Sequence, residues 1–244
     1  MIKKNIINIV WLYPDLMNTY GDRGNIITFM KRCKQRGIDC KLTELNAGFD
    51  EENLLDADFI LMGGAQDRQQ KIVSEDLFKK EKTLKKVINL NTPGLFICGA
   101  YQFLGKYYKE ADGSTIKGLG IMDLFTENPG QNVKRLIGNI AVKSNVLQNS
   151  LIGFENHGGR TYLGKNTLPF AKVIVGFGNN GSDKTEGAII KNIFGTYLHG
   201  PILPKNPQFT DFLISLSYEV KFNKKLTLKP LDDRIENLAR EQIA

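Results

Sequence analysis

The sequence predicts an α/β fold, a doubly wound and mostly parallel sheet flanked by helices, on three observations. Short, wholly apolar runs such as Phe59-Ile60-Leu61-Met62 and Gly94-Leu95-Phe96-Ile97 suit strands buried on both faces. Stretches with helical spacing separate them, so strand and helix alternate through the first half. Small residues close the apolar runs, with Gly63-Gly64 after one and Gly99-Ala100 just beyond the other, where the chain must leave a sheet in a tight turn.

Asn5 to Leu12 reads as the first strand. Gly21 to Gly37 opens on Gly-Asp-Arg-Gly-Asn, continues with helical spacing and stops at its last glycine. Asp39 to Leu45 alternates as a second strand, and Phe59 to Met62 is a third, buried one. Ser74 is placed as the cap of a helix running to about Leu90. Gly94 to Ile97 is a fourth strand that leads abruptly into Cys98 and a further helical stretch.

The second half is richer in short strands: Gly138 to Val146, Leu151 to Glu155, Val173 to Phe177, Ala188 to Ile190 and Ile193 to Leu198. Gly178-Asn179-Asn180-Gly181 suits a hairpin or a longer connection. Phe209 to Tyr218 and Asp232 to Ile243 read as amphipathic helices. No internal repeat or domain boundary is visible, so residues 1–244 are taken as one domain with C-terminal helices from about 209.

A chain of 244 residues can bury a core without metal or disulfide staples. Its three cysteines, Cys33, Cys40 and Cys98, form no CxxC pair, which argues against a disulfide framework and a zinc site. The net charge of +7 invites a nucleic-acid reading. However, the lysines between Lys79 and Lys86 are interleaved with acids, and no zinc-finger spacing, aromatic RNA-binding strand or basic arm is present. Solvated helix faces are the better account. No apolar run is long enough to span a bilayer. Met1-Ile2-Lys3-Lys4 leads into a short apolar stretch without a cleavage site, so a cytoplasmic protein is expected.

Chemistry is concentrated where a strand runs into Cys98. A strand, a cysteine and then Gly99-Ala100 opening a helix is the sequence form of a nucleophile elbow. The helix N-terminus beside the sulfur is expected to lower the thiol pKa. A thiol nucleophile needs a base, and the chain has only two histidines. His199 follows the last strand and precedes Gly200-Pro201, at the sheet edge where open α/β folds place their sites. His157, in Glu155-Asn156-His157-Gly158, reads equally well as a loop-packing residue, and His199 is preferred. The N–H of Gly99 and the Gly63-Gly64 loop, Gly64 in particular, are candidate donors to a tetrahedral oxyanion.

Phe96-Ile97-Cys98-Gly99-Ala100-Tyr101-Gln102-Phe103-Leu104-Gly105 and Gly195-Thr196-Tyr197-Leu198-His199-Gly200 resemble the class I glutamine amidotransferases, which are flavodoxin-like in fold. The closer likeness is to their cobyric acid synthase-like branch. Tyr20-Gly21-Asp22-Arg23-Gly24-Asn25 and Gly153 to Tyr162 narrow it to the glutaminase subunits of lipid II isoglutaminyl synthases. The resemblance spans about residues 6 to 220.

It implies that Cys98 is the nucleophile, that His199 is its general base and acid, and that Arg135 holds the glutamine substrate. It also implies a Mur-ligase-like synthetase subunit in a heterodimer. That partner, and no cofactor in this chain, would bring ATP and magnesium to the D-glutamate α-carboxylate of lipid II. One departure stands out. Pro201 occupies the position where many class I enzymes carry a glutamate that orients the histidine, leaving a Cys–His dyad or a borrowed carboxylate such as Glu155. Gly159 to Asn166 has P-loop glycine spacing, but Asn166 stands where the magnesium-binding hydroxyl belongs, so no nucleotide site is read there. Other amidations, a non-catalytic binding subunit and a cysteine hydrolase unrelated to glutamine remain as alternatives.

Overall fold

A computed structural model describes residues 6–242. Asn5, Ile243 and the N-terminal Met1–Lys4 stretch, on which some expectations fall, lie outside the described residues. The strands in chain order are β1 (Ile6–Leu12), β2 (Asp39–Leu45), β3 (Phe59–Met62), β4 (Gly94–Ile97), β5 (Tyr107–Lys109), β6 (Thr115–Lys117) and β7 (Leu124–Glu127). They continue as β8 (Leu136–Ser144), β9 (Ser150–His157), β10 (Arg160–Leu163), β11 (Ala171–Val175), β12 (Thr185–Glu186), β13 (Ala188–Ile190) and β14 (Ile193–Thr196). The helices are α1 (Arg23–Lys34), α2 (Asp67–Lys79), α3 (Glu81–Asn89), α4 (Gly99–Phe103), α5 (Ile202–Lys205), α6 (Pro207–Phe222) and α7 (Arg234–Glu241).

The central sheet runs β13-β14-β4-β3-β1-β2. Every neighbouring pair is parallel except the edge, where β13 lies antiparallel to β14. This is the expected mostly parallel sheet. Burial on both faces explains its apolar runs, because side chains alternate across a strand. Ile7, Ile9 and Trp11 of β1 point to one core and Val10 and Leu12 to the other. In β3, Phe59 and Leu61 share the first core while Ile60 and Met62 share the second.

One face is covered by α1 and α6, through Phe29, Phe209 and Leu213, together with the antiparallel sheet β12-β11-β8-β9. The other is covered by α2, α3 and α4, through Leu77, Leu84 and Tyr101, and by the sheet β10-β7-β5-β6. Arg32 ties the C-terminal part to α1, with Nε and Nη2 on the Asp211 carboxylate at 2.6 and 2.8 Å and Nη1 on Asp233 at 2.6 Å. No helix among the described residues is long and apolar enough to cross a membrane.

Several boundaries differ from the sequence reading. The helix expected to start at Ser74 begins at Asp67, directly after the Gly63-Gly64 loop, and breaks at Lys80 into α2 and α3. Ser74 lies inside α2 and its hydroxyl donates to the Lys71 carbonyl at 2.8 Å, so it bonds back along the helix and does not cap it. The strands β5, β6, β7 and β10 were not foreseen. Leu198, expected in the last strand, lies beyond β14, which ends at Thr196. The P-loop-like stretch contains β10, a strand and not a phosphate-cradling turn.

The sheet and α4 meet without spare room at Gly195, where an added Cβ would come within 2.1 Å of the buried Tyr101 ring. Gly195→Ala is expected to destabilise the chain by about 1–3 kcal/mol through overpacking. A urea titration would show a lower midpoint with an unchanged slope; an unchanged midpoint would contradict this packing.

Candidate active site

Cys98 stands at the β4–α4 junction with φ 53° and ψ −107°, a left-handed backbone that few side-chain-bearing residues adopt. Such a conformation costs roughly 1–3 kcal/mol and persists only where its surroundings enforce it. Its N–H donates to the Thr196 carbonyl at the end of β14 (2.9 Å), and its own carbonyl accepts from Gln102 N–H (3.0 Å). These two bonds hold the turn from both sides. The following residue has no space for a side chain, since a Cβ on Gly99 would meet Gln70 Nε2 at 2.8 Å.

The expected pKa depression of Cys98 is reversed. Burial, followed by the charge of Asp22, pushes the thiol up to about 12, against the smaller opposing effects of Arg135 and the Gly99 N–H. Helix α4 spans five residues, too short for its terminus to outweigh desolvation. The resting sulfur is therefore a thiol.

His199 lies just past β14, fully buried. Its backbone is pinned by two hydrogen bonds with Phe154, N–H to O at 2.8 Å and O from N–H at 3.1 Å. Upstream, Glu186 Oε1 accepts from Thr196 Oγ1 and Tyr197 N–H at 3.0 and 2.7 Å, fixing the segment that enters the histidine. Neither imidazole nitrogen has a hydrogen-bond partner among the described residues, and Tyr20 packs edge-to-face with the ring at 4.9 Å between centroids. Burial first, and then the neighbouring His157, Arg135 and Lys205, push its pKa down to about 3, so the ring is neutral.

Gly64 sits between the two. A Cβ there would lie 3.2 Å from Cys98 Cβ and 3.1 Å from His199 Cε1. Its N–H, expected as an oxyanion donor, donates instead to Asp22 Oδ2 at 2.7 Å. Asp22 is wholly buried, its Oδ1 is unpartnered, and burial raises its pKa to about 7 against the pull of the Gly64 N–H. The Gly99 N–H remains directed at the sulfur.

Arg135 lines the same pocket as Cys98, a cavity of about 280 Å³. That is near the small end of the roughly 300–1,000 Å³ range of ligand pockets and suits an amino acid better than a nucleotide. The guanidinium is held through Nε to Asn156 Oδ1 (2.8 Å) and Nη2 to Asn156 O (3.0 Å), and Asn156 Nδ2 donates to the Tyr20 hydroxyl (2.6 Å). A chain of contacts thus runs from Arg135 to the ring above His199.

His157 also lines the pocket. It stacks on Tyr197 at 3.7 Å, donates from Nδ1 to the Gly159 carbonyl (2.7 Å), and is kept neutral chiefly by burial. Glu155 lies beside this histidine, Oε2 3.8 Å from its Nε2, while its two carboxylate oxygens accept from the N–H groups of Phe177 and Gly178. Nothing joins it to His199 among the described residues. Asp22, Tyr20, Asn156 and Asp67 are not singled out by the sequence as site residues, although the first three lie within stretches quoted there.

Residues 8–207 match the CobB/CobQ-like glutamine amidotransferase domain. A similar curated protein is the lipid II isoglutaminyl synthase (glutamine-hydrolyzing) subunit GatD of Staphylococcus aureus (strain N315), 44% identical over 88% of this chain and 86% of that protein. The subunit of the same name from Streptococcus pneumoniae (strain ATCC BAA-255 / R6) is 37% identical over 97% of this chain and 90% of its own length. A crystal structure of a glutamine amidotransferase superposes with a TM-score of 0.57 at 15% identity, over 85% of this chain and 98% of that one, a likeness of fold alone.

With its pKa at about 12, Cys98 should react as a thiolate fraction that grows tenfold per pH unit. Iodoacetamide labelling of the Cys98 peptide, followed by mass spectrometry, is expected to accelerate steadily from pH 7 to 10. A rate that bends near pH 9 and levels off above it would mean an unshifted thiol.

Proposed function

Since this chain belongs to the CobB/CobQ-like glutamine amidotransferase family, we propose that it is the glutamine-hydrolysing subunit of a lipid II isoglutaminyl synthase. What carries the reading is Cys98, strained at a strand end in the floor of an amino-acid-sized pocket, with a buried histidine across Gly64.

In the proposed cycle Cys98 Sγ attacks the side-chain amide carbon of L-glutamine. The thiol proton passes through His199 to the amide nitrogen, the C–N bond breaks, and ammonia leaves a γ-glutamyl thioester. His199 then takes a proton from water, the hydroxide adds to the thioester carbon, and the C–S bond breaks to give glutamate. The sulfur recovers its proton from the imidazolium. The Gly99 N–H, which meets the sulfur at rest, would receive the oxyanion in both halves. Arg135 takes the substrate α-carboxylate through a paired, charge-assisted contact. A Mur-ligase-like partner would use ATP and magnesium to activate the D-glutamate α-carboxylate of lipid II, where the ammonia becomes the amide of D-isoglutamine.

The resting thiol and imidazole are both neutral, so the ion pair that attacks must form during binding or docking. The chain alone is therefore expected to release glutamate slowly from L-glutamine, and faster with a co-expressed Mur-ligase-like partner. Cys98→Ser should cut release at least about 10³-fold in either setting. Release that survives the substitution, or none from wild type with partner, would sink the reading. Arg135→Lys should raise KM roughly 10–100-fold while changing kcat little, because one fork of a bidentate pair is lost. An unchanged KM would remove Arg135 from the binding site.

A further inference from the structure

Building on the glutaminase reading, we propose that Asp67 is the specificity residue that receives the substrate's α-ammonium group, facing the Arg135 guanidinium that takes its α-carboxylate. The walls over Cys98 include Gln66, Gln70, Gln102, Tyr108 and Asn156, all uncharged, and His157, kept neutral chiefly by burial. Arg135 and Asp67 are thus the two full charges on the lining. They are not spent on each other: Arg135 Nε and Nη2 donate to Asn156, and no ion pair joins the two among the described residues. A pocket with one cation, one anion and about 280 Å³ between its walls is complementary to a zwitterion.

Asp67 is exposed to the open pocket, and no ion pair holds its carboxylate among the described residues. It is the first residue of α2, so the helix fixes its backbone directly after the Gly63-Gly64 loop. Glu110 lies near enough to repel it, but the available lysine, Lys71, is paired with Glu110 at 3.0 Å. Partial burial and then Glu110 raise the Asp67 pKa, while Arg135, the Tyr108 hydroxyl and, more weakly, Lys71 pull it down. An ammonium group entering the pocket would supply the missing positive charge. A ligand with only a carboxylate would meet Asp67 as a like charge, and an N-acylated glutamine would have no cation to offer it. The site would therefore select free α-amino acids.

An acid in the first turn of a helix also stabilises the helix, so the test must read substrate and not stability. The probes are L-glutamine and 5-amino-5-oxopentanoate, which is glutamine without its α-amino group. Both are assayed with the full chain in complex with its synthetase partner. Wild type is expected to prefer L-glutamine by about tenfold or more in kcat/KM. Asp67→Asn should raise KM for L-glutamine about tenfold, leave kcat within about twofold, and leave the desamino substrate unaffected or improved, so that the preference collapses.

Equal losses on both substrates, or a preference that survives, would overturn the proposal. Titrating both compounds calorimetrically into the Cys98→Ser complex reads the same preference without turnover. Absence of glutamate release by wild type would then count against the glutaminase reading alone, and a Cys98→Ser complex with no preference between the compounds would count against Asp67.

Discussion

Four strand ends converge on the backbone of Gly63 and Gly64, and the lack of room there sets the geometry of everything around it. A Cβ on Gly63 would come within 2.4 Å of the Met17 carbonyl and 2.5 Å of Asp22 Oδ2, both on the segment that follows β1. One on Gly64 would wedge between Cys98, which follows β4, and His199, which follows β14. The loop itself continues β3. Only a chain without side chains lets these four segments close together, and the parallel order β14-β4-β3-β1 brings their C-terminal ends to the same edge. That edge is where open α/β sheets carry their sites, because the turns into helices expose backbone donors there.

The same crowding governs the electrostatics. Asp22, Cys98 and His199 are packed around one buried loop, where each loses hydration and drifts towards its neutral form. The carboxyl and thiol rise, and the imidazole falls. A site resting this way stores little reactivity, since thiolate and imidazolium each require a charge that the surroundings penalise. Forming both together is less costly, because opposite charges on either side of Gly64 attract each other. The pair is thus coupled by its environment even though no hydrogen bond joins the two groups in the resting state.

Much of this was legible in the sequence, for physical reasons that also mark the limits. Doubly buried strands must be apolar at every position, so Phe59-Ile60-Leu61-Met62 announces itself. A strand that stops at a cysteine followed by glycine and alanine signals a turn with little space, and Cys98 has the positive φ that such a turn demands. The start of α2 was hidden because Gln66 makes no capping hydrogen bond, while Ser74, a good capping residue, spends its hydroxyl inside the helix. The strands β5, β6 and β10 are three or four residues long with one fully buried side chain each, too brief for an alternating pattern. The role of the Gly64 N–H could not be foreseen, since its partner Asp22 is forty-two residues away along the chain.

The proline at 201 shows how this chain manages without a carboxylate next to its histidine. A Cβ on Gly24 would touch Pro201 Cγ at 2.5 Å, so the proline ring lies flush against the start of α1. Orientation of His199 falls to the Phe154 backbone bridge on one side and the Tyr20 ring on the other. Tyr20 is itself held at φ 59° and accepts a hydrogen bond from Asn156, the residue that also carries Arg135. The carboxylate that other designs place beside the histidine acts on its charge. Here the ring is positioned by packing, and the tyrosine that packs on it is tied through Asn156 to Arg135.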